Sequence, residues 1–116
     1  MGKWHYFSDK EVEGLDPELV SKLDSARHIA GVPFRLTSTT GGNHTPGSEH
    51  YKGFAVDIGL GHLADGFERN TQRWAIMKGL FLSGFQRIED CPLHIHVGIG
   101  TLPDYPSPTM WIGKDE

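Results

Sequence analysis

Two histidines lie close together in the segment LHIHVG, residues 93–98, whose alternating apolar residues predict a β-strand. Because side chains alternate between the two faces of a strand, the imidazoles of His94 and His96 share one face. Two histidines on one face of an interior strand are unfavourable unless something binds them, and histidine is the commonest protein ligand for metal ions. The alternative is an exposed edge strand that carries two solvated histidines.

A carboxylate lies inside a second predicted strand. The segment FAVDIGL, residues 54–60, is apolar enough for a buried strand, yet it contains Asp57, and His50 precedes it in a glycine-rich stretch. An ionised carboxylate that leaves water needs a compensating partner, which a metal ion supplies. Gly53 permits a turn that would bring His50 and Asp57 together. With His96 they form a two-histidine, one-carboxylate set, typical of a catalytic zinc ion with one position open for water.

The chain contains one cysteine, Cys91, and this count limits the kinds of site that it can hold. One cysteine excludes an internal disulfide framework. It also argues against a structural zinc site, because such a site usually has four ligands dominated by cysteine. A single catalytic Zn²⁺ ion is therefore favoured over a closed thiolate site.

The composition narrows the domain organisation and the partners. With 116 residues, 37% of them hydrophobic and 22% charged, the chain is expected to form one domain over residues 1–116, as a monomer. A net charge of −4 and a pI near 5.9 argue against nucleic acid as a partner. No apolar run suggests a membrane span or a signal peptide, so we expect a protein that is cytoplasmic until it is released by a route such as cell lysis or an assembled particle.

One helix is predicted in LDPELVSKLDSARHIAG, residues 15–31. Asp16 can accept hydrogen bonds from the free amides of the first turn, and Pro17 suits the first helical position. Gly31 can end the helix in a left-handed conformation. The apolar stripe consists of Leu19, Leu23, Ala26 and Ala30.

The remaining elements complete an α+β pattern. A second helix is predicted over residues 71–84, with a buried side made of Trp74, Ile76, Met77, Leu80 and Phe81. Short strands are expected at residues 34–38, 54–60, 85–88 and 93–99, the last two as an antiparallel hairpin. Trp111 and Ile112 are expected to fold back onto the body. The prediction is a small antiparallel sheet with helices on one face.

The segment SEHYKGFAVDIG resembles the Ser-x-His-x-x-Gly-x-Ala-x-Asp signature of the zinc D-Ala-D-Ala carboxypeptidase family, which includes phage and bacterial peptidoglycan endopeptidases. The matching residues are Ser48, His50, Gly53, Ala55 and Asp57. HIHVG resembles the family's second motif, His-x-His, and GFQRIED resembles the strand that precedes it. The match spans residues 34–100, and it implies a hedgehog/DD-peptidase-like fold.

The resemblance also implies roles for individual residues. His50, Asp57 and His96 are implied as the zinc ligands, and His94 as the group that stabilises the developing oxyanion or shuttles a proton. Some members supply a glutamate as base from a Glu-x-x-His motif, but here that position is Leu93. His94 is therefore the first candidate for proton transfer, and the reserve candidates are Glu89 and Asp90.

Substrate contacts are less well specified by the motifs. Ser48 could position the metal site or the substrate through a hydrogen bond, and His44 either lines the cleft or is a solvated loop histidine. The family usually has an arginine shortly after a Ser-Gly-Tyr-like segment, where this chain has Ser38 followed by Gly41. Without that guanidinium, recognition of a free terminal carboxylate is weakened, which favours an endopeptidase over a carboxypeptidase.

Three functions are consistent with these residues. The first is a zinc-dependent peptidase that hydrolyses peptide bonds in peptidoglycan stem peptides, as a D,D-carboxypeptidase or an endopeptidase such as a phage lysis enzyme. The second is a non-catalytic zinc-binding module on the same scaffold, as in hedgehog signalling domains. The third, a metal nuclease, is disfavoured by the acidic pI. An open coordination position beside His94 distinguishes the first from the second.

Overall fold

The structure, a computed structural model, describes residues 3–39, 53–100, 105 and 107–115. These residues form two helices and five strands in a compact α+β fold. In chain order the elements are α1 (Pro17–Ala30), β1 (Leu36–Ser38), β2 (Ala55–Gly59), α2 (Phe67–Leu82), β3 (Arg87–Asp90), β4 (His94–Gly98) and β5 (Thr109–Ile112). The strands form one sheet in the order β1-β2-β4-β3-β5.

The sheet is mixed, so the prediction of an antiparallel sheet is wrong at one edge. Strands β1, β2, β4 and β3 pair antiparallel, as the predicted β3–β4 hairpin requires, but β5 pairs parallel to β3. The register explains why. Gly98 at the end of β4 and Thr109 at the start of β5 both pair with Arg87. The chain therefore returns at the same end of the sheet and adds β5 on the far side of β3.

Helix α1 confirms the prediction in detail. The Asp16 carboxylate accepts a hydrogen bond from the Glu18 backbone N–H at 2.8 Å, which satisfies one free amide of the first turn. Gly31 ends the helix with φ +70°, and its N–H donates to the Arg27 carbonyl oxygen. The predicted stripe of Leu19, Leu23, Ala26 and Ala30 is buried.

Helix α2 confirms the predicted burial of Ile76 and Leu80 but not that of the aromatic residues. It begins earlier than predicted, at Phe67, and its buried residues are Ala75, Ile76, Gly79 and Leu80. Trp74 and Phe81, which were expected in the core, are 65% and 53% exposed. The reason is the packing of the two helices, because a Cβ at Gly79 would overlap the Ala26 carbonyl oxygen of α1. Such close approach needs the small-residue side of α2 to face α1, which turns the large aromatic side chains towards solvent.

The hydrophobic core lies on one face of the sheet. It combines strand residues with residues of both helices, including Val56, Ile58, Ile88, Ile95, Val97, Leu19, Leu23, Ile76 and Leu80. Both helices thus cover one face, and the side chains that alternate with these strand residues lie on the opposite face. Within the described part of the chain, no helix has the length and apolarity needed to cross a membrane.

Candidate active site

A row of side chains crosses the sheet on the face opposite the helices. The strand register pairs Ser38 with Asp57, Asp57 with His96, His96 with Glu89, and Glu89 with Trp111. Apart from the register shift between Leu36 and Ser38 in β1, directly paired residues on these neighbouring strands point to the same face, with Cβ atoms about 4.5–5.5 Å apart. These five residues are called the cross-strand row below. It collects residues from all five strands in one line.

The centre of the row is a contact between Asp57 and His96. His96 Nδ1 lies 3.3 Å from Asp57 Oδ1, although the two residues are 39 positions apart in the sequence. His96 is buried, with 8% of its surface exposed. The structure therefore brings together the carboxylate and the later histidine of the predicted ligand set, on two strands that pair directly.

Three of the predicted site residues lie outside the described residues: His50, Ser48 and His44. Of the segment that was expected to bring His50 towards Asp57, the structure describes Gly53. Gly53 has φ +76°, a left-handed conformation that glycine adopts without strain. Its carbonyl oxygen accepts a hydrogen bond from the Asp16 N–H at 2.9 Å, which attaches the start of β2 to the N-terminus of α1.

The two reserve carboxylates lie on opposite faces of the sheet. Glu89 belongs to the cross-strand row, next to His96. Asp90 pairs with Ile95, a core residue, and therefore lies on the helix face, where the Arg73 guanidinium donates a hydrogen bond to its carboxylate. The same guanidinium donates to the Cys91 carbonyl oxygen at 2.7 Å. Of the two, Glu89 is the carboxylate that can act on a group bound at the row.

His94 lies two residues before His96 in β4, on the same face. It contacts a residue that the sequence analysis did not identify. Its Nδ1 lies 2.7 Å from Asp115 Oδ1. The Asp115 carboxylate is fixed in turn, because it accepts hydrogen bonds from the Leu93 N–H at 3.0 Å and 2.9 Å. An imidazole held at one nitrogen by an anchored carboxylate has a defined orientation and tautomer, as a proton-transfer group requires.

Asp115 was missed because the charged end of the chain has no motif. The signal that could have found it is the prediction that Trp111 folds back onto the body. Trp111 does so, and its ring centroid lies 6.1 Å from that of His96. Ile112, by contrast, is 79% exposed, so its predicted packing is wrong. The residues after β5 pass the end of β3, where the Gly113 N–H donates to the Asp90 carbonyl oxygen.

Cys91 completes a group of donors at this end of β4. The Sγ atom and the ligand atoms of His94 and Asp115 lie within 4.8 Å of one another. Cys91, His94 and Asp115 are called the outer cluster below. Burial is the largest of the causes that together raise the pKa of the Cys91 thiol to about 12; the others are the charges of Glu89, Asp115 and Asp57 and a hydrogen bond to Glu89. The outer cluster is therefore rich in negative charge and in possible metal donors.

Comparisons with protein-family models, with curated proteins and with solved structures found no match. Evidence for a function therefore comes from the motif residues and from the side chains on the sheet face opposite the helices. That face carries a buried histidine beside a carboxylate, a second histidine oriented by Asp115, and a glutamate next to them. These are the groups used for metal binding and acid–base chemistry.

Proposed function

We propose that this chain is a zinc-dependent peptidase of the D-Ala-D-Ala carboxypeptidase type, with a hedgehog/DD-peptidase-like fold, which hydrolyses peptide bonds in peptidoglycan stem peptides. The observation that carries the proposal is the 3.3 Å contact between His96 Nδ1 and Asp57 Oδ1. Two donors from distant segments meet on the sheet face that the core leaves open. Both belong to the motifs that resemble the family.

The donor chemistry fits zinc. Histidine nitrogens and carboxylate oxygens are ordinary zinc ligands, and catalytic zinc sites typically have three protein ligands and one open position. Asp57 and His96 supply two of them, and we assign the third to His50 from the sequence signature. Zinc bound there supplies a Lewis acid that polarises the scissile carbonyl and activates water.

The proposal gives His94 the proton transfer. With Nδ1–H donated to Asp115, the neutral ring presents its lone pair at Nε2, which can accept a proton from the attacking water and later deliver it to the leaving amine. Asp115 does not react in this scheme. It holds the ring in one tautomer and stabilises the imidazolium that forms.

Glu89 is the alternative proton carrier. It is the direct cross-strand neighbour of His96, so it is close to whatever binds there. The Cys91 thiol donates a hydrogen bond to its carboxylate, which links Glu89 to the outer cluster. His94 is preferred because its orientation is fixed by Asp115 through a 2.7 Å contact.

Digestion of purified peptidoglycan, with mass analysis of the released fragments, tests the proposal. We expect the zinc-loaded protein to release peptide fragments, a chelator to stop the release, and added zinc to restore it. The masses locate the cleaved bond, and internal cleavage would support the endopeptidase preference. If the protein binds zinc but releases nothing from walls of varied stem peptides, the non-catalytic zinc module is the correct function.

A further inference from the structure

The outer cluster contains donor atoms that the proposed peptidase centre does not need for its metal. Cys91 supplies a sulfur, His94 a ring nitrogen and Asp115 an oxygen, all within 4.8 Å of one another. A tetrahedral zinc ion holds such donors at about 2.0–2.3 Å from itself, so its ligand atoms lie about 3–4 Å apart. Small side-chain movements are enough to convert the observed arrangement into a coordination sphere.

Backbone hydrogen bonds hold the three segments of the cluster in place. The Cys91 N–H donates to the His94 carbonyl oxygen at 3.0 Å, which fixes the turn between β3 and β4. The Leu93 N–H anchors the Asp115 carboxylate, and the Gly113 N–H donates to the Asp90 carbonyl oxygen at 3.0 Å. The donors are therefore positioned before a cation arrives, which reduces the entropy lost on binding.

The charges around the cluster favour a cation. The carboxylates of Glu89, Asp115 and Asp57 lie close enough to the Cys91 thiol for their negative charges to act on it, in addition to the larger effect of burial. The same negative charges stabilise a divalent cation, which in turn deprotonates a coordinated thiol. The Arg73 guanidinium contacts Asp90 and the carbonyl oxygens of Cys91 and Pro92, and Lys114, which precedes Asp115, is exposed.

We propose that Cys91, His94 and Asp115 form a second metal site, selective for zinc and similar thiophilic cations, and that a cation bound there inhibits the peptidase. The binding half of this inference stands on the outer cluster itself, and the inhibition half rests on the proposed function. Inhibition follows because His94 and Asp115 cannot transfer or direct a proton while both ligate a metal.

The proton balance of binding is defined. Coordination by Sγ releases the thiol proton of Cys91 to solvent. Coordination by the Nδ1 of a neutral His94 requires the tautomer with its proton on Nε2, so the proton moves within the ring and none is lost there. The ionised Asp115 exchanges its hydrogen bond to Nδ1 for the metal. One proton therefore leaves for each cation bound, and the affinity rises with pH.

Cobalt binding followed by absorption spectroscopy tests the site without any assay of peptidase activity. Co²⁺ replaces zinc at such sites, and a bound thiolate gives a charge-transfer band in the near ultraviolet. We expect this band in the wild type and also in Asp57→Ala, which lacks the other metal site. It should be absent in Cys91→Ser, which is close in size and keeps the hydrogen bond to Glu89.

Saturating cobalt without a thiolate band in the wild type would overturn the site. Asp115→Asn serves as a second ligand variant, because it changes a partly exposed side chain outside the core, keeps one acceptor oxygen and removes the negative charge. We expect its cobalt affinity at the thiolate site to be at least about 10-fold weaker. An unchanged affinity in Asp115→Asn would exclude Asp115 as a ligand and contradict the three-ligand site.

Inhibition is tested separately by peptidoglycan digestion at increasing zinc concentration. We expect activity to rise with the first equivalent of zinc and to fall with excess zinc in the wild type, while Cys91→Ser keeps its activity in excess zinc. Equal inhibition of both proteins would overturn the inhibitory role. A protein that shows the cobalt–thiolate band but digests no peptidoglycan would retain the second site and lose the proposed function.

Discussion

The centre and the start of strand β4 hold two different arrangements of metal-binding side chains on one face of the sheet. At its centre, Asp57 and His96 meet because their strands pair directly, so the sheet register sets their separation. At its start, the outer cluster takes residues from the β3–β4 turn, from β4 and from the end of the chain. On one face of the sheet, strand pairing alone therefore sets the Asp57–His96 pair, whereas the outer cluster also depends on the position of the C-terminal residues.

The two arrangements also differ in chemistry. The central pair offers nitrogen and oxygen donors beside Glu89, which suits a catalytic metal with an open position. The outer cluster adds a sulfur donor and a histidine whose Nδ1 already contacts a carboxylate. Substitutions at Asp57 or His96 should remove both the catalytic metal and the activity. Substitutions in the outer cluster should change activity or metal binding at that cluster without removing the catalytic metal.

The largest effect is expected for Asp57→Ala. Removing a ligand at the central pair should abolish zinc retention there and reduce peptidoglycan hydrolysis to background. Metal analysis at one equivalent of zinc, with Asp57→Ala combined with Cys91→Ser so that the outer cluster does not retain the ion, checks the loss. The matched control is Asp65→Ala, whose side chain is 93% exposed and belongs to neither the cross-strand row nor the outer cluster. Normal hydrolysis by Asp57→Ala would show that the central pair is not the catalytic metal site.

The second-largest effect on hydrolysis is expected for His94→Ala. Zinc at the central pair should remain, while hydrolysis should fall about 10²–10⁴-fold, the usual contribution of a positioned acid–base group. Initial rates on purified muropeptides measure the change, with His62→Ala, an exposed histidine, as the control. Unchanged turnover by His94→Ala would transfer the role to Glu89.

A smaller effect on hydrolysis than that of His94→Ala is expected for Asp115→Asn, because Asp115 acts through His94. We expect a lower kcat with little change in KM or in the melting temperature, and partial recovery in Asp115→Glu. Lys114→Ala, at an exposed neighbouring position, should behave as the wild type. A melting temperature low enough to explain the loss of activity would indicate a structural role for Asp115. It would also remove the distinction between the centre and the start of β4.

The smallest effect is expected for Cys91 in metal-free protein. Because the Cys91 side chain is 1% exposed and its pKa is raised to about 12, native alkylation at neutral pH should be slow and should accelerate on unfolding. The folded chain keeps a proton that the unfolded chain loses above its ordinary pKa of 9.0, so stability should fall as the pH rises from 9.0 to about 12.

The control for this measurement is Cys91→Ser, since the hydroxyl does not titrate in this range. The free energy of unfolding of the wild type should decrease relative to Cys91→Ser between these pH values. Rapid alkylation of the native wild type at neutral pH would contradict the low thiolate population.

Several features followed from the sequence because they depend on local rules. The capping residues Asp16 and Gly31 predicted both ends of α1 correctly. The two-residue period placed His94 and His96 on one face, and the buried carboxylate argument singled out Asp57. Once β2 and β4 pair, these rules bring the central pair together.

The remainder depends on long-range packing that no local pattern encodes. The burial of Trp74 was mispredicted because Gly79, with no side chain, allows the closest approach to α1, whereas hydrophobicity favours Trp74. The parallel β5 and the position of Asp115 depend on which edge the chain returns to after β4. That choice is made by the whole sheet rather than by the residues of the tail.

An anomalous difference map at the zinc absorption edge, from crystals loaded with one equivalent of zinc, tests the central claim most directly. The account predicts a peak between β2 and β4, about 2.0–2.2 Å from an Asp57 carboxylate oxygen and from a His96 ring nitrogen. A peak at Cys91, His94 and Asp115 alone, with Asp57 and His96 still in direct contact, would contradict it.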